Sequence, residues 1–235
     1  MSKVSPIMTI FAGPNGAGKS TLRELLALEM NLGIEIDPDA IARKHDLSDL
    51  QAGRETINLV KQYIQQGVSF SLETTLSGNL ILKQIQQAKE HGFQTKLIFV
   101  SLGSSDQHLD RVEQRVIEGG HHIAHDDVVR RYQRSHENLS KAISMVDTAN
   151  VYNNAAKFEM VVRINRGEIV EHATKIPVWA TPIINKFTHH PAIAAGNGVA
   201  RRTQVCNSRC QTSAAPASKC RCVCNGKNHG IKRGR

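Results

Sequence analysis

Two hydrophobic rhythms alternate along the first three-quarters of the chain. Residues 7–12, Ile-Met-Thr-Ile-Phe-Ala, are a β-prone apolar run that stops at Gly13, and Leu22, Leu25, Leu26 and Met30 then recur at helical spacing. This pattern predicts a strand, a glycine turn and a helix. A second short strand is predicted over 33–36, a helix starting near Ala40, and another over 54–66 with Gly67 as its stop. A third strand over 69–73 precedes a helix over 80–90 that ends at His91-Gly92, and residues 96–102 are a strongly apolar strand. Helices over 106–118 and about 126–146 flank a break at Gly119-Gly120. Residues 149–153 read as a fifth strand, and 158–164 with 168–172 as a hairpin turned by Asn165-Arg166-Gly167.

Strands alternating with helices need crossover connections, so the expected fold class is α/β, a parallel sheet with helices on both faces. Ligands bind such sheets beyond the carboxyl ends of the strands. After Trp179 the rhythm decays, and residues 181–217 are mostly small, polar and basic. The expected organisation is therefore a body over 1–180 and an irregular, basic, Cys-rich C-terminal tail over 181–235.

Composition sharpens this picture in two places. With 235 residues, 40% hydrophobic and 22% charged, the chain suits one globular domain with an appendage. No apolar run reaches the roughly 18 residues of a membrane helix, and no leader pattern opens the chain, so a cytoplasmic protein with no membrane partner is expected. The net charge of +9 hides a segregation: all 21 acidic residues lie at or before Glu171, while 11 of the 30 basic residues follow it. Residues 1–171 thus carry a net −2, and only the tail points toward nucleic acid. All five cysteines also fall in the last 30 residues.

Gly13-Pro14-Asn15-Gly16-Ala17-Gly18-Lys19-Ser20, followed by Thr21, matches the phosphate-loop pattern GxxxxGK[ST] between a predicted strand and a predicted helix. The glycines let the backbone curl so that successive N–H groups face phosphate oxygens, and the helix adds its positive end. Lys19 suits the β- and γ-phosphates and the Ser20 hydroxyl suits Mg²⁺, so ATP and Mg²⁺ are the expected cofactors.

Three further clusters carry candidate chemistry. In Ile36-Asp37-Pro38-Asp39, one carboxylate can take the proton of an attacking hydroxyl while the other caps the next helix, and position alone leaves the roles open. In Leu72-Glu73-Thr74-Thr75, Glu73 can hold a Mg²⁺-bound water and a threonine hydroxyl can bind substrate, although threonine also simply suits a strand end. Arg111, Arg115, Arg130, Arg131 and Arg134 surround Gly119-Gly120-His121-His122 and read as a lid whose guanidinium forks meet a transferred phosphoryl group. A solvated basic face is the alternative, but Arg111 and Arg115 at i, i+4 repel mildly unless an anion lies between them. In the tail, Cys206, Cys210, Cys220, Cys222 and Cys224 with His229 exceed the four ligands a tetrahedral zinc ion needs. The CxCxC spacing is tight for a zinc finger, and a disordered basic tail with reduced thiols accounts for the same residues.

Taken together, GPNGAGKST, IDPDAIA, LETTLSG and RVEQRVIEGGHHIAHDDVVRRYQRSHENL resemble the zeta toxin family, in particular its short, free-standing bacterial kinases, from about residue 7 to about 172. The resemblance implies a phosphate-loop NTPase, kinase-like fold and ATP-dependent phosphorylation of a hydroxyl on a UDP-activated amino sugar, UDP-N-acetylglucosamine. It implies Asp39 as the general base, Glu73 and Thr75 on the substrate side, and Arg115 as a lid arginine on the phosphates. A second lid arginine of the prototype toxins falls near His122, so Arg131 or Arg134 takes its place here. Where the prototypes carry a substrate-binding glutamate this chain has Ile57, with Glu55 nearby. The implied partners are a small-molecule substrate and an antitoxin protein. Two other readings stand beside this one. The first is a kinase acting on a nucleic acid end or another small hydroxyl compound. The second is a nucleotide-dependent switch with a nucleic-acid-binding tail, which has no use for a base such as Asp39 at the acceptor end.

Overall fold

Side chains along β1 (Ile7–Ala12) alternate between two apolar layers. Met8, Ile10 and Ala12 join one cluster, while Phe11 joins a smaller one with Leu22, Ile98 and Val100. The computed structural model describes residues 5–120 and 123–188, without the side chains of Asp39 and Asp49. The chain divides into two units, 1–193 and 194–235, and the second lies outside the described residues. The tail cysteines, His229 and the zinc reading attached to them lie outside them too, as does His122.

After β1 come α1 (Lys19–Ala27), β2 (Ile34–Ile36), α2 (Pro38–His45), α3 (Asp49–Gln66), β3 (Phe70–Thr74), α4 (Leu80–Glu90) and β4 (Gln94–Ser101). Then follow α5 (Ser105–Ile117), α6 (His125–Met145), β5 (Thr148–Asn153), β6 (Glu159–Asn165), β7 (Glu168–His172), a 3-10 turn (Val178–Ala180) and α7 (Thr181–Thr188). The seven strands form one sheet in the order β2-β3-β1-β4-β5-β6-β7. The first five in that row are parallel, and β6 and β7 add an antiparallel edge. β1 is flanked by β3 on one side and β4 on the other, with Ile10 opposite both Leu72 and Leu97. The chain winds outward from β1 to β2, then crosses back to β4, so the carboxyl end of β1 opens into the crevice where ligands bind in such sheets.

The larger cluster gathers Val60 and Ile64 of α3, Ile81 and Ile85 of α4, and Leu139 and Ile143 of α6. Two elements depart from the sequence expectation. Helix α3 starts at Asp49 rather than 54, because Ser48 and Gln51 form a capping box that satisfies backbone groups ahead of the hydrophobic rhythm. The body also runs past residue 180: α7 buries Ile183 and Phe187 in the larger core cluster, at 3% and 5% exposure. These two residues stand four apart on an eight-residue helix, too short a stretch for periodicity to reveal.

Candidate functional site: the phosphate loop and the cavity beside it

Residues 13–18 connect β1 to α1 through backbone conformations that side chains resist. Gly16 and Gly18 have φ of +73° and +91°, in the left-handed region. Space is closed as well, since a Cβ on Gly16 would lie 2.9 Å from the His108 carbonyl oxygen. No side chain caps α1 and no acidic residue sits in its first turn, so its leading N–H groups are left for an anion. The Lys19 ammonium donates to the Pro14 carbonyl at 3.1 Å, which folds it back over the loop. The Asn154 amide donates to the Ala17 carbonyl at 3.0 Å and pins the loop from the end of β5.

The Ser20 hydroxyl donates to Glu73 Oε2 at 3.1 Å. Glu73 is the last residue but one of β3 and is half-buried; burial, the largest influence, pushes its carboxyl above the usual pKa, while Lys19, Arg23 and the Ser20 bond pull the other way. Arg23 ion-pairs with Glu73 at 3.5 Å and also with Glu35. A hydroxyl and a carboxylate in contact beside a phosphate loop are the all-oxygen donor set that a hydrated Mg²⁺ takes. The residues therefore fit the cofactors expected from the motif.

Beside the loop lies a cavity of about 630 Å³, lined by Pro38, Thr75, Ser77, Arg130, Arg131 and Arg134 among others. Thr75 Oγ1 shares a hydrogen bond of 2.8 Å with Ser77 Oγ. On α6, Arg130 pairs with Asp127, and Arg131 reaches Asp127 Oδ2 at 3.8 Å. Arg131 also makes a long contact, 3.5 Å, to the Asn15 side-chain oxygen, so the arginine helix already meets the phosphate loop. Arg134 makes no ion pair among the described residues. Three guanidinium groups, and no carboxylate among the described lining residues, suit a ligand that carries negative charge.

The residues singled out from sequence are distributed unevenly around this site. Gly13 to Thr21, Glu73, Thr75, Arg130, Arg131 and Arg134 lie at the loop or the cavity. Asp39 is the second residue of α2, next to the cavity residue Pro38; its side chain is outside the description. Arg115 is exposed in the last turn of α5 and does not line the cavity, its stem packing beside Gly120 instead. One turn earlier, Arg111 donates to the Asn154 carbonyl at 2.8 Å, and its Cβ faces Gly16. Sequence reasoning passed over Asn154 and His108, which both hold the loop; neither lies in a motif. Among the described residues no group of three or more His, Cys, Asp or Glu is placed to hold a metal ion, and no helix is long and apolar enough to cross a membrane.

Comparison with known proteins agrees with this geometry. A 127-residue stretch is 40% identical to an uncharacterized protein of Haemophilus influenzae, covering 52% of this chain and 89% of that protein. The fold is similar, with a TM-score of 0.53 and 18% identity over 82% of each chain, to a chain of the PezAT chromosomal toxin–antitoxin system of Streptococcus pneumoniae. It is also similar to a chain in the structure of AvrRxo1-ORF1:-ORF2 with ATP, at a TM-score of 0.53 and 17% identity, over 82% of this chain and 66% of that one. These likenesses mark a phosphate-loop kinase-like fold. Residues 1–172, which hold the loop, the acidic strand ends and the arginine helix, match the family model described as Zeta toxin, and the chain belongs to the zeta toxin family.

Proposed function

We propose that the protein is an ATP-dependent kinase that phosphorylates a hydroxyl of a small, negatively charged molecule, and that a UDP-activated amino sugar is its acceptor. The observation that carries this reading is a cavity lined by Thr75 and by Arg130, Arg131 and Arg134, with Arg131 of that lining also in contact with Asn15 of the phosphate loop. A diphosphate-bearing acceptor matches those guanidinium groups, and a threonine hydroxyl can orient a sugar. The loop N–H groups and Lys19 hold the nucleotide phosphates, while Ser20 with Glu73 supports Mg²⁺. An Mg²⁺ held by Ser20 and Glu73 would supply charge neutralisation to the nucleotide phosphates. Asp39, at the acceptor end of β2, takes the proton of the attacking hydroxyl, and Arg131 or Arg134 meets the charge on the transferred group. Arg115 keeps a phosphate-contacting role on the strength of the family resemblance. The body, residues 1–188, holds all of these groups, and a protein antitoxin is the partner expected from the kind of system in which the PezAT relative occurs.

Incubation with labelled ATP and a panel of UDP-sugars, nucleosides and oligonucleotides tests the acceptor, and transfer only to oligonucleotide ends would overturn the sugar reading. Asp39→Asn is expected to leave ATP affinity nearly unchanged and to cut transfer by about 10²-fold or more, since it removes the base and keeps the shape. If Asp37→Asn has that effect and Asp39→Asn is harmless, the two roles are exchanged. Arg134→Ala is expected to raise the acceptor KM by about tenfold or more, from loss of a charge-assisted contact, with little change in Tm. An unchanged acceptor KM would remove Arg134 from the acceptor site. Arg115→Ala is expected to lower the transfer rate more than nucleotide affinity, because charge develops on the transferred group only as it moves.

A further inference from the structure

His108 lies on α5 and is completely buried, in a segment whose other residues are mostly exposed. Its two ring nitrogens have unlike partners. The Leu102 N–H donates to Nε2 at 3.1 Å, so Nε2 carries no proton. In a neutral ring the proton is then on Nδ1, which donates to the Asn15 carbonyl at 2.7 Å. Asn15 is the third residue of the phosphate loop, so this bond ties a loop carbonyl to a buried ring 93 residues away. Only the neutral ring with this tautomer both accepts from the end of β4 and donates to the loop. Burial, the largest influence, lowers the pKa of His108 to about 4, so the ring keeps that form at neutral pH.

A second tier stands behind His108. The Ser101 hydroxyl lies 3.3 Å from His108 Nε2 and 3.1 Å from His136 Nε2. His136 Nδ1 donates to the Tyr132 carbonyl at 2.9 Å, which leaves its Nε2 to accept from Ser101. Tyr132 packs on both imidazoles, with ring centroids 5.3 Å from His108 and 4.4 Å from His136. Arg131, beside Tyr132 on α6, reaches back to the Asn15 side chain. Asn15 is thus held at its carbonyl by α5 and at its side chain by α6, and Gly16 follows it against the His108 carbonyl with no room for a Cβ.

We propose that His108 is a positioning residue for nucleotide binding: its Nδ1–H fixes the Asn15 carbonyl and so keeps the following loop N–H groups aimed at phosphate. Buried polar rings are hydrogen-bonded as a rule, so satisfaction alone does not distinguish a positioning role from a packing one. The distinction lies in which nitrogen matters. An asparagine side chain places its amide near the position of Nδ1, whereas glutamine reaches the position of Nε2. His108→Asn can keep the bond to Asn15 and gives up the one from Leu102; His108→Gln does the reverse.

The binding readout rests on the nucleotide-kinase reading above, and the exchange readout does not. Hydrogen exchange of the amides of residues 15–19, without nucleotide, is expected to be near wild type in His108→Asn and about tenfold faster in His108→Gln. Both variants lower Tm by a few degrees, roughly equally, because each leaves one buried group unpaired. The Kd for adenosine 5′-(β,γ-imido)triphosphate with Mg²⁺ is expected to rise about tenfold in His108→Gln and to change little in His108→Asn. Equal effects of the two substitutions on loop exchange, or the opposite order, would overturn the proposal. Wild-type protein that fails to bind the analogue, with the exchange difference intact, would instead defeat the kinase reading and leave the loop-positioning role standing. If neither variant folds, the nitrogen chemical shifts of His108 in the wild-type protein decide the matter, since an Nε2–H tautomer excludes the bond to Asn15 and an Nδ1–H tautomer supports it.

Discussion

Lys19→Met is expected to abolish phosphoryl transfer, lowering kcat by about 10²–10³-fold or more, while Tm moves by no more than a few degrees. Methionine keeps the length of the side chain and removes its charge. The lysine opens α1 immediately after Gly18, whose left-handed backbone turns the chain into the helix, so its position is set by the loop. Its ammonium rests on the Pro14 carbonyl within the same loop, a bond that holds the charge above the anion site. Phosphoryl transfer involves little covalent chemistry for the protein, and catalysis comes from positioning and from charge aimed at the equatorial oxygens. Removing one such preorganised donor typically costs two to three powers of ten. Lys19 lies outside both apolar clusters, so core packing is untouched. Initial rates with labelled ATP, beside a thermal melt, test the prediction, and a variant that turns over at the wild-type rate would end the kinase reading.

Truncation is expected to separate two boundaries that look alike in the sequence. A chain ending after residue 193 should fold and keep its turnover, because every element of the described body is retained. A chain ending after Ala180 should be grossly destabilised. It loses Ile183 and Phe187, both nearly inaccessible to solvent and both part of the larger core cluster. Deleting a buried isoleucine side chain costs about 2–5 kcal/mol and a buried phenylalanine about 3–5 kcal/mol. The sum is comparable with the whole stability of a typical domain, about 5–15 kcal/mol. Circular dichroism melts of the two truncations, with ATP turnover measured beside them, decide the point. A shorter chain that melts at the wild-type temperature would show that α7 is dispensable to the core.

The elements most legible in advance were those where local pattern and tertiary role coincide. Helix α4 and strand β7 fall on the predicted residues, 80–90 and 168–172, because an apolar stripe or a turn pair marks each end. The hairpin turn is marked by Arg166 and Gly167, whose φ of +48° and +81° suit a tight reversal. The start of α3 was less legible. Ser48 and Gln51 bring the helix forward by capping, which a hydrophobic count does not register. The antiparallel edge of β6 and β7 followed from the short turn between them, since a parallel pairing would have needed a crossover.

The site divides in the same way. The phosphate loop is contiguous, so its residue types and spacing already carry its geometry, and its place between strand and helix could be read from the chain alone. The Glu73-Thr74-Thr75 segment was visible because it lies at the carboxyl end of a strand that must face the crevice, while the choice of Thr75 within it came from the family resemblance. The groups that brace the loop from behind were not. His108 and Asn154 stand 93 and 137 residues from the loop carbonyls they hold, and no local pattern links residues so far apart. The choice among the arginines was likewise a tertiary one. Arg111, Arg115, Arg130, Arg131 and Arg134 look equivalent as a charge series, yet the crossing of α5 and α6 sets Arg130, Arg131 and Arg134 on the cavity, Arg111 against the loop and Arg115 outward. By itself the sequence determined the parallel α/β body, the phosphate loop and the family, because these follow from neighbouring residues and their periodicity. Which arginines line the cavity, which distant side chains hold the loop carbonyls and where the core ends were decided only by packing between distant elements, since those contacts exist only once the sheet and its helices are assembled.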